Sequence, residues 1–394
     1  MGQGDTITSK RQIPVMLQSE ADSNRAATIH ILQHQPTARP IEDRYSIDVQ
    51  ICEEDASGSG QTTLLLGVYD GHRGSSAAAY IAQALPSAVL STVAHLSNDA
   101  DGQTQLIQDT FETFDRQMIS SFQDAHSNKS EGKGSRITEE STTAALRVLS
   151  GCTASMLMIK VPHSCQETPS ADIINLGDSR VVVASFNPEP YIQAASIDLN
   201  SGVQDEQSLI ISQHPVDDPN DIFVGGRLFG ETLSTRAFGD GLYKLPLRAD
   251  QKRDQHRDLI YQLSVHQQAA AASKGRKKII PLIDRFDTLF WAYKSPPYIS
   301  STPQVTKVPL ASQDNSPNSK ESHRIVGIVA TDGLWDMVSS EEAVEILNQA
   351  SSQDTAVSLS DELNMAQILL DGVVERRGRK PGDDVTILVL VLPL

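Results

Sequence analysis

Short apolar runs bounded by Gly, Asp or Pro recur along this chain and limit the folds open to it. Their length and their Val, Ile and Leu content are typical of β-strands. The predicted strands are residues 45–51, 64–69, 154–160, 172–176, 181–185, 208–212, 325–330 and 385–392. Longer helical patterns predict helices over residues 75–95, 103–123, 341–349 and 360–376.

The order of these elements favours antiparallel sheets. Strands and helices do not alternate as they would in a doubly wound parallel sheet. We therefore predict an α+β fold, a central antiparallel β-sandwich flanked by antiparallel α-helix pairs in four αββα layers. Ser339 and Glu342 have capping-box spacing at the start of the third predicted helix. Pro86 is expected to kink or end the first helix.

One folded domain is predicted over residues 37–394, preceded by an N-terminal extension over residues 1–36. Three segments of polar or basic composition are predicted insertion loops, at about residues 124–144, 245–290 and 310–324. Loops of this length in a compact domain are usually functional or disordered. The first two are therefore our candidates for substrate recognition.

Composition and charge narrow the class of function. The 394 residues carry a formal net charge of −17, which argues against nucleic acid or an anionic membrane surface as the main partner. Cys52, Cys152 and Cys165 have no paired spacing and are expected to be reduced, intracellular thiols. No run approaches the ~18 apolar residues of a membrane span, so no integral span is predicted. Gly2 and Thr6 fit the short N-myristoylation pattern, and acylation stays open.

Acidic residues stand where predicted strands begin or end, each close to Gly, Ser or Arg. These residues are Glu42, Asp43, Asp70, Asp178, Asp332, Asp336, Asp383 and Asp384. A single residue of this kind is commonly part of a turn. Several carboxylates at one sheet edge, however, repel one another unless a cation neutralises them. Hard oxygen ligands favour Mg²⁺ or Mn²⁺ over zinc, so the pattern predicts a metal-dependent hydrolase.

Other catalytic signatures are missing from the sequence. It contains no G-x-x-x-x-G-K-S/T loop, no G-x-S-x-G elbow and no H-E-x-x-H motif. Neither Cys152 nor Cys165 begins the Cys-x5-Arg loop of a cysteine phosphatase. The segment GGRLFG at residues 225–230 lacks dinucleotide-binding spacing and is predicted to form a close turn.

Seven segments resemble, in order, the motifs of the metal-dependent type 2C (PPM) protein serine/threonine phosphatases. They are EDRYSI, LLGVYDGHRG, GCTASMLMI, INLGDSRVVVAS, LSTRAFGD, IVATDGLWDMVSSEEAVEIL and GDDVTILVLVL, between Glu42 and Leu392. The segment SPPYISSTPQVTKVPL, with the insertion after RAFGD, further resembles the pyruvate dehydrogenase phosphatase branch.

This resemblance implies hydrolysis of phosphoserine and phosphothreonine in proteins, by a hydroxide held on two Mg²⁺ or Mn²⁺ ions. By motif position, Asp70 is expected to bridge both ions. Asp332 and Asp383 would complete one site. Glu42 and the Gly71 carbonyl would complete the other.

The resemblance also implies supporting roles. Asp43 is expected to orient the metal-bound water. Asp178 and Asp336 match positions that hold a third, weaker ion together with Asp332. We favour His72 as the general acid for the leaving oxygen, because imidazole changes charge near neutral pH.

Three departures from the family pattern concern charged side chains. Arg73 stands where glycine is usual, and we expect it to face solvent rather than to contact phosphate. The usual phosphate-binding arginine is Ala38 here, so Arg39 and Arg44 are both candidates for that contact. Asp384 replaces a frequent asparagine and is expected to add negative charge to the site.

Two alternative functions remain open at this point. One is a phosphatase-like scaffold with weak or no catalysis, although no expected metal carboxylate is missing. The other is a metal-dependent phosphoesterase for small molecules, since a fold does not fix the substrate. The protein is expected inside the cell, in the cytoplasm or the mitochondrial matrix.

Overall fold

The computed structural model describes residues 7–16, 26–37, 39–52, 60–94, 100–127, 138–163, 168–187, 189–245, 294–310, 324–353 and 364–393. Residues 128–137 of the first predicted insertion lie outside this described part, as do residues 246–290 and 311–323 of the other two. Gly2 and Cys165 lie outside it as well.

Two antiparallel sheets form the centre of the protein. The larger contains, in spatial order, β1 (Ile7–Met16), β2 (Ala26–Gln35), β16 (Val385–Pro393), β15 (Arg324–Ala330), β9 (Arg180–Asn187) and β10 (Glu189–Ala195). The smaller contains β14 (Gln304–Pro309), β8 (Ser170–Leu176), β7 (Ala154–Pro162), β4 (Gln61–Tyr69) and β3 (Arg44–Cys52). Every strand pair in both sheets is antiparallel.

Shorter strands and the helices surround these sheets. A small sheet contains β13 (Phe238–Gly239), β6 (Gly151–Cys152) and β5 (Gly71–His72), and a hairpin joins β11 (Phe223–Val224) to β12 (Arg227–Leu228). The helices are α1 (Ser76–Ala94), α2 (Ala100–Ser127), α3 (Glu139–Leu149), α4 (Gln204–Gln213), α5 (Pro219–Ile222), α6 (Asp332–Trp335), α7 (Ser340–Gln353) and α8 (Met365–Arg377).

Alternation along the strands produces the four layers. On β16, Ile387 and Val389 pack with the buried side chains of α7 and α8. Leu388 and Leu390 point the other way and pack with Leu157 of the opposite sheet. Helices α1 and α2 cover the outer face of the smaller sheet. This arrangement confirms the predicted αββα sandwich.

The prediction of a strand over residues 208–212 is wrong, because this run lies in α4. Ile210 is buried there, whereas Leu209 is exposed, which is the pattern of a helix with one buried side. A short apolar run without clear alternation does not distinguish a strand from a helix. The capping box at the start of α7 is confirmed, since Ser339 and Glu342 exchange backbone-to-side-chain hydrogen bonds of 3.1 and 3.2 Å.

Helix α1 continues through Pro86, which therefore does not end it. Its 18-residue window of mean hydropathy 1.4 makes it the one helix of the described residues long and apolar enough to cross a membrane. In the structure, Ile81, Leu85 and Val89 on this helix are buried in the core beside the smaller sheet.

The structure also corrects the predicted N-terminal boundary at residue 37. Residues 26–35 form β2, which lies between β1 and β16 inside the larger sheet. These strands mix polar and apolar residues on both faces, so their sequence carries little strand signal. Residues 139–144 of the first predicted loop begin α3, whose first turn is capped by the Thr138 side chain.

The acidic loops leave the two sheets at a common edge. The end of β4 pairs with the start of β3, and the end of β15 pairs with residues near the start of β16. Asp70 follows β4, while Glu42 and Asp43 precede β3. Asp332 and Asp383 hold the corresponding positions beside β15 and β16. The antiparallel pairing thus brings together carboxylates that are far apart in sequence.

Candidate functional site

A cavity of about 450 Å³ opens at this shared edge. The predicted site residues that line it are Arg39, Glu42, Asp43, Asp70, Gly71, His72, Asp178, Asp332 and Asp383. Arg73 and Asp384, noted above as departures from the family pattern, line it as well. Arg44 and Asp336 are not part of the lining.

Gly71 is required by a close approach of two chain segments. A Cβ atom at this position would lie 2.6 Å from the Glu42 carbonyl oxygen and 3.1 Å from the Ala78 Cβ. The turn itself is made by Arg73 and Gly74, whose φ angles are 60° and 123°. The Gly74 N–H donates a 3.0 Å hydrogen bond to Glu42 Oε2, which fixes the Glu42 carboxylate beside the end of β4.

Asp70 and Asp332 are neighbouring carboxyl groups, and each changes the pKa of the other. Like charges close together disfavour ionisation, so the pair keeps a proton to a higher pH than a free aspartate does. Burial, followed by the charges of Asp43 and Asp178, raises the pKa of Asp70 well above its ordinary value. The charge of Asp70, followed by burial, raises the pKa of Asp332 to about 10.

Asp43 lies on the floor of the cavity and is held rigidly. Its Oδ2 accepts hydrogen bonds of 2.9 Å from the hydroxyls of Thr331 and Thr386. Burial raises its pKa to about 7, against the lowering effect of these two hydrogen bonds. Only 1% of the residue is exposed, so its position is set by the two threonines at the ends of β15 and β16.

Asp384 positions the backbone that carries Glu42. Its Oδ2 accepts a 2.6 Å hydrogen bond from the Glu42 N–H, and its Oδ1 accepts one from Gln35 Nε2. Burial is the main cause that raises the pKa of this carboxyl. Asp384 thus links the end of β2, the loop before β3 and the start of β16, in addition to carrying charge.

The structure brings Asp178 to the cavity but leaves Asp336 outside its lining. Asp178 is buried, its Oδ2 accepts a 3.0 Å hydrogen bond from Asn200 Nδ2, and burial raises its pKa. Asp336 is exposed at the end of α6, where its N–H donates a 2.8 Å hydrogen bond to the Asp332 carbonyl. Its charge still contributes to the raised pKa of Asp332.

His72 is paired with Asp240, a residue that the sequence analysis missed. His72 Nε2 lies 2.6 Å from Asp240 Oδ2. Burial alone would raise the pKa of Asp240, but His72, Arg73 and Lys244 together hold it below its ordinary value. Asp240 is the final residue of RAFGD, a segment that resembles a family motif. Nothing in the sequence, however, indicates that this aspartate pairs with His72.

Arg73 is exposed, as predicted, but its guanidinium also binds two side chains of the protein. Its Nη1 lies 3.1 Å from Asp240 Oδ1, and its Nη2 donates a 2.8 Å hydrogen bond to the Tyr243 hydroxyl. The guanidinium also lies 5.1 Å from the centre of the Tyr243 ring. These contacts turn the arginine inward, towards the same carboxylate that binds His72.

The candidate phosphate-binding arginines differ in orientation. Arg39 is exposed and lines the cavity. Arg44 donates hydrogen bonds of 3.1 and 2.6 Å to backbone carbonyls before β3 and does not line the cavity. Arg227 of β12, which the sequence analysis missed, also lines it. The predicted close turn is present in this hairpin, where Gly225 and Gly226 have φ angles of 59° and 77°.

The donor atoms in the cavity fit a hard cation. The cavity is lined by Glu42, Asp70, Asp332 and Asp383, which carry carboxylate oxygens, and by Gly71, which offers only backbone atoms. Among the described residues, no three Asp, Glu, His or Cys side chains already have a metal-binding arrangement. The negative charges in this cavity, however, repel one another and disfavour ionisation of the carboxyl groups. A bound dication would neutralise these charges and remove the repulsion. An all-oxygen donor set matches Mg²⁺ or Mn²⁺.

A larger cavity, of about 870 Å³, lies between α2, α4 and residues 295–302. Four of its charged groups already form two ion pairs. Arg236 forms a two-point ion pair with Glu206, and Lys244 lies 2.8 Å from Asp115. The smaller cavity is therefore the better candidate for chemistry.

The chain is similar to several known proteins. The family profile described as "Protein phosphatase 2C" matches residues 38–377. "Probable protein phosphatase 2C 40" of Arabidopsis thaliana is 27% identical over 240 residues, which are 56% of this chain and 38% of that protein. "Protein phosphatase 2C homolog C10F6.17c" of Schizosaccharomyces pombe is 24% identical over 294 residues, 72% of this chain and 55% of that protein.

The pyruvate dehydrogenase phosphatases are also similar, at low identity. The mitochondrial phosphatase 2 of Homo sapiens in this group is 26% identical over 200 residues, 50% of this chain and 31% of that protein. The chain thus spans about half or less of these relatives' lengths. The crystal structure of a phosphatase from a pathogenic strain of Toxoplasma gondii shares the fold, with a TM-score of 0.54 and 12% identity, over 98% of this chain and 97% of that one.

Proposed function

Because the chain belongs to the protein phosphatase 2C family, we propose that it is a metal-dependent phosphatase acting on phosphoserine and phosphothreonine in proteins. The observation that supports this most directly is the composition of the cavity. It gathers carboxylates from the ends of both sheets together with His72 and Arg39. A phosphorylated protein is the expected substrate, and the proposed location is inside the cell, in the cytoplasm or the mitochondrial matrix.

Two ions are proposed in the cavity. Asp70 would contact both of them. Glu42 and the Gly71 carbonyl would hold one, and Asp332 and Asp383 would hold the other. When bound, the ions supply Lewis acidity for the phosphoryl oxygens and the attacking water. Within this proposal, Asp178 and Asp336 remain predicted ligands of a third, weaker ion beside Asp332.

The remaining chain groups orient the substrate and move a proton. Arg39, exposed at the rim, binds the phosphoryl group through its guanidinium. Asp43 orients the attacking water with the carboxylate oxygen that the two threonine hydroxyls leave available. His72 donates a proton to the serine or threonine oxygen as its bond to phosphorus breaks.

Hydrolysis of a phosphothreonine peptide by the purified chain tests this function. We expect activity with Mn²⁺ or Mg²⁺, its loss in EDTA and its loss in Asp332→Ala. Asp371→Ala, which removes an exposed carboxylate of α8, is the matched control and should retain activity. Undiminished activity in EDTA or in Asp332→Ala would contradict the metal assignment.

The two alternatives predict different results in the same assay. A phosphatase-like scaffold would bind the phosphopeptide without metal-dependent release of phosphate. A small-molecule phosphoesterase would hydrolyse phosphorylated metabolites in preference to phosphopeptides.

A further inference from the structure

Asp240 connects the cavity to the interior of the protein through His72. The residue is fully buried and is not part of the cavity lining. Its Oδ2 lies 2.6 Å from His72 Nε2, and its Oδ1 lies 3.1 Å from Arg73 Nη1. Each carboxylate oxygen therefore binds one of two consecutive residues that follow β4 and Asp70. Any effect of Asp240 on substrate must pass through these partners.

The position of Asp240 is set by the surrounding backbone rather than by His72. Its own φ angle is 50°, in the left-handed region that only a few per cent of non-glycine residues adopt. Its N–H donates a 3.1 Å hydrogen bond to the Ser150 carbonyl. The preceding N–H, of Gly239, donates a 2.8 Å hydrogen bond to Asp115 Oδ1, and Lys244 binds the other oxygen of Asp115 at 2.8 Å. These hydrogen bonds fix the backbone that carries the Asp240 carboxylate, and none of them involves His72.

Gly151 of β6 leaves space for the His72–Asp240 pair. A Cβ atom at residue 151 would collide with both His72 Nε2 and Asp240 Oδ2. Backbone pairing of β5 with β6 places His72 directly opposite Gly151. Gly151, in the segment GCTAS, and Asp240, in the segment RAFGD, are thus both needed for the contact between His72 and Asp240.

Arg73 completes the arrangement at a conformational cost. Its φ angle of 60° is one that glycine adopts more easily. The side chain is held by the Tyr243 hydroxyl at 2.8 Å and occupies Asp240 Oδ1, which leaves Oδ2 for His72.

We propose that Asp240 is a positioning residue that holds the His72 ring by its Nε2, and that Arg73 aligns the Asp240 carboxylate. The nitrogen that the ring then presents to the leaving oxygen is Nδ1. This inference rests on the proposed function. The bond between phosphorus and the substrate oxygen breaks as the oxygen of the attacking water bonds to phosphorus. The substrate oxygen takes the proton from Nδ1, and the other hydrogen stays on Nε2, hydrogen-bonded to Asp240. A proton lost by the attacking water restores the ring through solvent.

Nitrogen NMR of the histidine rings in the full chain tests the geometry without any activity. The resonances of His72, one of 10 histidines, are identified by their loss in His72→Gln. In the metal-free protein, we expect the neutral ring to carry its hydrogen on Nε2. In Asp240→Asn, the amide can donate to Nε2, and the hydrogen should move to Nδ1. A wild-type ring protonated on Nδ1 would overturn the proposal even if the variant fails to fold.

Kinetics then test the consequence for the leaving group. In Asp240→Asn, kcat for a phosphothreonine peptide should fall about 100-fold, within the usual range for general acid catalysis. With p-nitrophenyl phosphate, whose leaving group needs no proton, kcat should change less than about threefold. Asp172→Asn is the matched control, because it breaks another buried pair, with Lys160 at 2.8 Å, away from the cavity. It should leave the ratio of the two kcat values unchanged.

Equal losses on both substrates in Asp240→Asn would overturn the positioning role. Wild-type protein without metal-dependent hydrolysis of either substrate would instead contradict the proposed function. In that case the NMR result decides the His72–Asp240 geometry independently.

Discussion

Raising the pH of the metal-free protein should lower its free energy of unfolding, because the Asp70–Asp332 pair retains a proton that the unfolded chain releases. The charge of Asp70, followed by burial, raises the folded-state pKa of Asp332 to about 10. An unfolded aspartate titrates at about 3.9. Between these values the folded state binds about one more proton than the unfolded state. Stability is therefore lost as the pH rises through this interval.

One additional bound proton corresponds to about 1.4 kcal/mol per pH unit. From about pH 7 to about pH 8.5, the expected loss is ~2 kcal/mol. Burial raises the pKa of Asp43 to about 7, so its contribution falls mainly below this interval. Burial lowers the pKa of His30 to about 4. This residue therefore makes the protein more stable as the pH rises, but its effect also falls mainly below about pH 7. The carboxylate pair therefore dominates the slope.

Urea unfolding of the full chain in EDTA at these two pH values measures the effect. Wild type should show the full loss, and Asp332→Asn, which lacks the carboxyl group whose folded-state pKa is about 10, should show a smaller one. Burial also raises the pKa of the Cys152 thiol, but this contribution is common to both proteins and cancels in their difference. Mg²⁺ should stabilise wild type more at the higher pH. An equal slope in both proteins would refute the coupling between the two carboxyl groups.

Three further predictions concern single residues. Asp115→Ala should destabilise the protein by about 3–5 kcal/mol in urea unfolding, because it leaves the buried Lys244 ammonium without its 2.8 Å partner; a loss below about 1 kcal/mol would contradict this. Gly71→Ala should weaken Mn²⁺ binding in calorimetry because its Cβ would lie 2.6 Å from the Glu42 carbonyl oxygen, whereas Gly382→Ala, with open space around it, should bind normally. Equal Mn²⁺ affinity in the two variants would argue against the close approach. Arg39→Ala should raise KM for a phosphopeptide about tenfold, since a charge-assisted hydrogen bond contributes about 1.5–3 kcal/mol; an unchanged KM would remove Arg39 from the phosphate site.

The acidic site was predictable because its residues follow a pattern that antiparallel pairing converts into proximity. Asp70 and Asp332 each follow a strongly apolar strand, and the carboxyl groups meet because both strands end at one edge. Asp240 was not predictable by this reasoning. It follows a strand of only two residues, Phe238–Gly239, and its partner His72 lies 168 positions away. The contact of Arg73 with the buried Asp240 carboxylate was not predictable either, because the two residues are 167 positions apart.

The fold was predictable where apolar content alone selects the element. Residues 385–392 are almost continuously apolar, and they form the central strand β16. Residues 26–35 carry His and Gln among their apolar residues, so they gave no strand signal, although they pair with β16. Residues 208–212 became a helix because only one side of that segment is buried against the protein.

The place of β2 in the larger sheet has a consequence for biosynthesis. Residues 26–35 are synthesised long before residues 385–393, which form β16, one of their two neighbours in the sheet. On the ribosome, β2 must therefore wait until all the intervening strands and helices have been made before that neighbour emerges. Contacts of such long sequence separation slow folding and leave apolar strand edges exposed during the delay. We expect nascent chains of this protein to depend on chaperones until β16 has been released.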